Sequence, residues 1–154
     1  MRVGIIGHEG LSDLTEMLVR GELWQLVTGY GAYELVGVGC LAAGPETWFA
    51  QAVLDHGGRI EVIVPASAGR AGAFGVAGRT GQRLLNEAKA VHRLAPVEHG
   101  GLGDDTGRAL VGMIDELIAV WDGRPGPGPA GVVEAARRAG LFVQVVWPRG
   151  SESP

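Results

Sequence analysis

Residues 2–18 read Arg-Val-Gly-Ile-Ile-Gly-His-Glu-Gly-Leu-Ser-Asp-Leu-Thr-Glu-Met-Leu, and this opening segment indicates the fold class. An apolar run at 2–6 is followed by a glycine-rich segment at 7–10, and apolar side chains then recur with helical spacing from Leu11. The pattern predicts a buried strand, a tight loop and a helix. Ser12 or Asp13 is expected to cap that helix, because either side chain accepts hydrogen bonds from the free amides of a first helical turn.

The same unit repeats along the chain. Further strands are predicted at 34–39, 60–64, 90–94, 116–121 and 142–147, with helical patterns between them. Nearly continuous apolar strands that alternate with amphipathic helices are typical of a parallel sheet covered on both faces. The sequence therefore predicts an α/β fold, a Rossmann-like three-layer sandwich with a mainly parallel sheet. We expect one domain over 1–150 and a frayed tail over 151–154.

Composition excludes several classes of protein. With 46% hydrophobic residues in 154, the chain is able to bury one core, and no apolar run approaches the roughly 20 residues that cross a bilayer. The formal net charge is −4 and no basic cluster is present, so we expect no nucleic-acid partner. The single Cys40 allows no internal disulfide, and no leader pattern opens the chain, so we expect a cytoplasmic protein.

Three loops follow predicted strands and should meet at one edge of the sheet, where open α/β sheets bind ligands. The predicted ligand-binding residues are Gly7, His8, Glu9 and Gly10 in the first loop, Ala42, Ala43 and Gly44 in the second, and Asp122, Gly123, Gly126, Gly128, Ala130 and Gly131 in the third.

Each loop has more than one interpretation. The first offers helix amides to an anion, or its glycines only permit a tight turn; it matches neither the dinucleotide nor the Walker pattern. Glu46, after the second loop, is a base, an acceptor for a ribose hydroxyl, or a charge that suits the helix dipole. The third loop is a ligand-binding segment, in which Asp122 at a strand end is placed to accept from a sugar hydroxyl, or it is a plain linker that is unusually rich in glycine. The four histidines show no metal spacing, so we expect no metal site. We also expect no cofactor.

Two further segments, 66–81 and 96–105, are rich in glycine and lack a sustained period. Loops of this length inside a compact domain are usually functional or disordered. The sequence predicts that 66–81 is the most mobile internal segment.

Several of these pieces resemble the SMF/DprA–LOG superfamily, SLOG, and in particular its small bacterial members. The resemblance rests on Gly7-His8, on Leu41-Ala42-Ala43-Gly44, and on Ala119-Val120-Trp121-Asp122-Gly123 with the helix that follows it. It covers nearly the whole chain. It implies a Rossmann-like domain for nucleotides or nucleotide-derived ligands, with relatives that cleave the N-glycosidic bond of nucleoside monophosphates and others that sense nucleotide signals.

The third loop departs from the pattern of the hydrolase relatives. They carry Pro-Gly-Gly-x-Gly-Thr-x-x-Glu, whereas residues 126–134 read Gly-Pro-Gly-Pro-Ala-Gly-Val-Val-Glu. The glycine pair and the threonine hydroxyl are missing. Glu134 falls near the glutamate of the motif, and Glu46 replaces the usual aspartate of the second loop.

Two classes of function follow from these observations. The first is a protein that binds a nucleotide or nucleoside phosphate as a sensor or carrier. The alternative is an N-glycoside hydrolase acting on nucleoside monophosphates, so whether the protein is an enzyme stays open. In that alternative Glu46 or Glu134 is the catalytic carboxylate, and Arg70, Arg79 or Arg83 pairs with the phosphate.

We also expect a homodimer. Trp24, Tyr30 and Tyr33 lie near the end of the first predicted helix and offer an apolar patch. The expectation draws on the resemblance too, since relatives of this type often form dimers.

Overall fold

The computed structural model describes residues 1–65, 78–95 and 102–154, with side chains from residue 106 onward in the last range. In chain order the elements are β1 (Arg2–Gly7), α1 (Asp13–Thr28), β2 (Val36–Gly39), α2 (Pro45–His56), β3 (Arg59–Val64), α3 (Gly78–Glu87), β4 (Ala90–Arg93), α4 (Leu102–Met113), β5 (Glu116–Val120), α5 (Pro129–Arg138) and β6 (Phe142–Val146). The predicted Rossmann-like α/β class is confirmed.

The strands form one sheet in the order β4-β3-β2-β1-β5-β6, and every paired strand runs parallel to its neighbour. The chain leaves β1 toward β2 on one side and later returns from β4 to place β5 on the other side of β1. The strand order therefore reverses between β1 and β5. Ligands of open α/β sheets bind at such a switch point, outside the carboxyl ends of the strands.

Two apolar clusters hold the three layers together. The first joins the sheet to α1, α2 and α3, with Val19, Phe49 and Leu84 completely or almost completely buried. The second joins the opposite face to α4 and α5 through Leu110 and Val133. Side chains alternate between faces along each strand, so a continuous apolar strand contributes to both clusters.

The start of α1 follows the prediction. Ser12 is the N-cap, and its hydroxyl accepts from the Thr15 backbone N–H at 3.2 Å. In contrast, the expected loops at 66–81 and 96–105 are helical where they are described, since α3 begins at Gly78 and α4 at Leu102. Helix hydrogen bonds override the weak local preference of glycine there. Residues 66–77 and 96–101, with Arg70 and the expected mobility, lie outside the described residues.

A charged cluster of Arg2, Glu61 and His92 links β1, β3 and β4 at a distance from the switch point. The Arg2 guanidinium donates to both carboxylate oxygens of Glu61, at 2.6 and 3.0 Å, and to the Met113 carbonyl. His92 Nε2 lies 2.7 Å from Glu61 Oε1. The hydrogen bond from Arg2 is the largest of the effects that lower the pKa of Glu61 to about 2.

None of the helices in the described ranges is long and apolar enough to cross a membrane.

Candidate functional site

The switch-point crevice is the space at the carboxyl ends of β1 and β5, and His8 and Asp122 meet there. The His8 backbone N–H donates to the Val120 carbonyl at 3.1 Å and extends the pairing of the two strands by one residue. The His8 side chain then turns toward β5, and its Nε2 lies 3.2 Å from Asp122 Oδ1. Two residues predicted from separate loops therefore form one contact.

Asp122 is the acceptor at the centre of this crevice. Its side chain is only 6% exposed. Oδ1 accepts from the Arg124 backbone N–H at 3.0 Å, and Oδ2 accepts from the Ser153 hydroxyl at 2.8 Å. The Arg124 hydrogen bond chiefly lowers the pKa of Asp122, and those from Ser153 and His8 act in the same direction. Asp122 is therefore an ionised, acceptor-only group near neutral pH.

The segment after β6 crosses the crevice. Trp147 packs edge-on against the His8 ring with 6.0 Å between ring centroids. The Glu152 backbone N–H donates to Thr15 Oγ1 at 2.8 Å, and Ser153 donates to Asp122. The tail expected to fray thus makes hydrogen bonds to both α1 and the end of β5. Local sequence does not reveal these bonds, because their partners are far away along the chain.

The second loop lies against the first. An added Cβ at Gly7 would come within 2.8 Å of Pro45 Cβ, so the close approach of the two loops requires glycine at this position. That contact favours the tight-packing interpretation of Gly7 over a phosphate cradle. Leu41 is buried with φ 59°, a left-handed conformation that is costly for a bulky side chain and is often found beside binding sites.

Glu46 is buried at the start of α2, 6% exposed, and its Oε1 accepts from the Cys40 backbone N–H at 3.1 Å. Burial, with the charge of Glu9 acting in the same direction and the Cys40 hydrogen bond opposing it, raises the pKa of Glu46 to about 7. Glu46 therefore carries a proton at slightly acid pH and is half ionised near neutrality. A carboxyl in this state is able to donate a proton or a hydrogen bond.

Glu46→Gln should change how stability depends on pH. Because the pKa is raised in the folded chain from its ordinary 4.5, the stability that Glu46 contributes is full below 4.5 and is lost as pH rises through about 7. Glutamine mimics the protonated acid. We expect wild-type stability at acid pH and a gain of about 3 kcal/mol above pH 7. Urea unfolding across pH checks this; parallel curves for the two proteins would contradict it.

The third loop is open to solvent. Gly123, Gly126 and Gly128 are exposed and have positive φ angles, and no atom lies within 4 Å of a Cβ added at any of them. Gly128 is the N-cap of α5, with φ 102° and ψ −136°, and makes no side-chain cap. Pro129 follows at the first helical position, so the first free amides of α5 belong to Ala130 and Gly131.

The two predicted catalytic carboxylates lie on helices that cover opposite faces of the sheet. Glu134 is 63% exposed on α5 and pairs with Arg138. It lines an open groove of about 540 Å³ together with Trp121, Gly123, Pro125, Ala130, Val133, Arg137 and Arg138. Glu46 lies under the second loop, on the face that α2 covers. Among the described residues, no three His, Cys, Asp or Glu side chains form a group suited to a metal ion.

The switch point, the acceptor at its centre and the uncapped helix beside it define a Rossmann-like α/β protein with a candidate ligand crevice at the carboxyl edge. No family model and no curated protein matches the chain. Solved structures do match, and they show a shared Rossmann-like fold.

Three of these structures show the range of proteins with this fold. DNA processing protein A (DprA) from Streptococcus pneumoniae has a TM-score of 0.68 at 20% identity, over 97% of this chain and 51% of that chain. The chain thus spans about half of that protein. DprA from Helicobacter pylori, described for its single-stranded DNA binding mode, has a TM-score of 0.66 at 15% identity, over 99% of this chain and 68% of that chain. The molybdenum cofactor carrier protein of Chlamydomonas reinhardtii has a TM-score of 0.56 at 12% identity, over 94% of this chain and 74% of that chain.

The exclusion of nucleic acid as a partner is wrong, because a protein described as binding single-stranded DNA shares this fold. Net charge averages over the whole chain and hides local differences. Residues 121–154 contain four arginines against three acidic residues, within a chain of net charge −4. The composition therefore does not exclude nucleic acid.

Proposed function

We propose that the protein binds a nucleotide or nucleoside-phosphate-type ligand in the switch-point crevice, as a sensor or carrier. The observation that carries this proposal is Asp122, an ionised acceptor at the strand reversal whose Oδ2 already accepts a hydrogen bond from an alcohol, the Ser153 hydroxyl. A ribose hydroxyl offers the same donor. The carrier protein with this fold supports a carrying role for a small ligand.

The phosphate would lie at the start of α5. The first turn of α5 has no side-chain cap, so the amides of Ala130 and Gly131 are available to an anion, which the positive end of the helix dipole also favours. By contrast, Ser12 already accepts from an amide at the start of α1. Pro127 and Pro129 lack amide donors, so phosphate binding should be weaker than in a glycine-rich loop.

Calorimetric titration with nucleoside monophosphates, free nucleosides, ribose 5-phosphate and a single-stranded oligonucleotide tests the proposal. We expect nucleoside monophosphates to bind more tightly than nucleosides, because the phosphate adds the contact with α5. Binding of the oligonucleotide with no binding of any small member of the panel would contradict it.

Ser153→Ala should strengthen ligand binding. The Ser153 hydroxyl occupies the acceptor that the ribose needs, so its removal leaves Asp122 free for the ligand. The loss of one competing hydrogen bond should raise affinity about two- to tenfold in calorimetry. Ser151→Ala is the matched control, because Ser151 Oγ is buried without a hydrogen-bond partner in the described structure. Equal affinity of the Ser153 variant and wild type would show that the tail does not compete.

A second candidate function is N-glycoside hydrolysis, which the proton-bearing Glu46 favours. Glu46 would protonate the leaving base or orient water, while the exposed Glu134 is less suited to either role because it pairs with Arg138 in solvent. The altered third loop holds phosphate weakly, so we expect slow turnover or none. Release of free base from nucleoside monophosphates at about one per second or faster, abolished by Glu46→Gln, would establish the hydrolase instead.

A further inference from the structure

The loop after β5 and the outer side of α5 enclose the open groove of about 540 Å³, which we call the outer groove. Trp121 and Pro125 line it from the loop, and Val133, Arg137 and Arg138 line it from α5. Its volume falls within the range of about 300–1,000 Å³ that is usual for small-molecule sites. The outer groove is therefore large enough to hold a ligand of its own.

The outer groove is separate from the switch-point crevice. Trp121 packs with the second apolar cluster, on the face that α4 and α5 cover, whereas the next residue, Asp122, contacts His8. Side chains of consecutive residues point to opposite sides of an extended chain. A ligand in the outer groove therefore binds without the Asp122 carboxylate, and its binding does not rest on the proposed nucleotide site.

The apolar part of the outer groove is held in place. Trp121 is half-buried against the core, and its indole N–H donates to the Arg124 carbonyl at 2.9 Å. The ring and its only polar atom are thus both engaged by the protein. Val133 beside it is 1% exposed. A fixed indole next to aliphatic side chains favours a flat aromatic ring, which packs on it at little cost in side-chain entropy.

The charged part of the outer groove is positive. Arg138 forms an ion pair of 2.5 Å with Glu134. Arg137 is exposed, and no carboxylate of the described residues pairs with it, so the groove keeps one uncompensated positive charge. Basic residues in the last turn of α5 also suit the helix dipole, but the dipole does not require an aromatic side chain beside them. One negative charge therefore neutralises the groove.

We propose that the outer groove is a binding site for a flat aromatic acid that carries one negative charge. The ring lies against Trp121 and Val133, and the carboxylate accepts from the guanidinium of Arg137. Because a guanidinium presents two parallel N–H donors to a carboxylate, this contact also orients the ring. A phosphate monoester carries close to two negative charges near neutral pH, and a nucleic-acid strand adds one with every nucleotide. Both exceed what the groove compensates.

Calorimetry with naphthoate and with its uncharged amide, naphthamide, tests the site. The amide keeps the ring but not the charge, so it should bind about fivefold more weakly or less. Arg137→Gln should weaken naphthoate binding about three- to tenfold, a modest loss because the groove is open to solvent. Arg59→Gln is the matched control and should leave the affinity unchanged, because Arg59 is an exposed arginine at the start of β3, at the opposite end of the strands.

Glu134→Gln changes the affinity in the opposite direction. It frees Arg138 and leaves two uncompensated positive charges, so naphthoate should bind about two- to fivefold more tightly, a gain that damage to the fold does not produce. No binding of naphthoate at about 1 mM, equal binding of the amide, or an affinity that neither groove variant changes would overturn the proposal. Binding of a single-stranded oligonucleotide that Arg137→Gln weakens, without binding of naphthoate, would also overturn it, in favour of nucleic acid.

Discussion

Asp122→Asn should weaken the binding of a nucleoside monophosphate by about 10- to 100-fold, the cost of replacing a charged acceptor by a neutral one. Asp122 is the group that the other crevice residues contact, since His8, the Arg124 backbone and Ser153 all lie against its carboxylate. Asparagine keeps the shape but has one acceptor oxygen and no charge. Calorimetry of both proteins against the same ligand measures the loss.

Asp55→Asn is the matched control for this prediction. Asp55 lies on the exposed surface near the end of α2, where it accepts from Gln51 at 2.8 Å. Its replacement should leave affinity unchanged. Thermal unfolding of the Asp122 variant separates lost binding from lost folding, since the folded fraction can be held equal in both titrations. Unchanged affinity in a folded Asp122→Asn protein would remove Asp122 from the ligand site.

Glu61→Ala should lower the free energy of unfolding by about 3–4 kcal/mol, because it leaves Arg2 partly buried without its main partner. The Glu61 side chain is 6% exposed and that of Arg2 is 35% exposed, so the pair is shielded from solvent far more than a surface ion pair. The variant also removes the contact of His92. Urea unfolding near neutral pH measures the change.

Acid weakens the same cluster in wild type. Since Arg2 holds the folded pKa of Glu61 near 2, below its ordinary 4.5, the stabilisation is present above pH 4.5 and is lost as pH falls through about 2. The difference between wild type and Glu61→Ala should shrink over that interval. Glu87→Ala is the control, because Glu87 pairs with Arg83 in solvent and should contribute about 0.5 kcal/mol or less. A constant difference across pH would contradict the assignment.

The fold followed from patterns that are local in the sequence. The apolar run before His8, the loop and the capped start of α1 each depend on neighbouring residues, and the parallel arrangement follows from their repetition. Hydrophobic spacing also predicted that the loops after β1 and β5 meet. It did not predict helical structure at 78–81, where glycine and a polar sequence gave no period.

The contacts that join distant parts of the chain are those that sequence patterns do not contain. Ser153 reaches Asp122 across 31 positions, and Arg2 reaches Glu61 across 59. The sequence indicated that glycine at position 7 permits a tight turn, but only the packed structure shows that close contact with Pro45 requires it. The left-handed Leu41 gave no signal at all, because nothing in its residue type indicates that conformation.

Amide chemical shifts measured by NMR while a nucleoside monophosphate is added report where the ligand lies. We expect the largest changes at His8, Asp122 and Ser153 and at the start of α5, with little change at Glu61 or His92, which lie away from the switch point. Changes confined to Glu61 and His92, or to the outer groove around Arg137 and Arg138, would contradict a ligand site at the switch point.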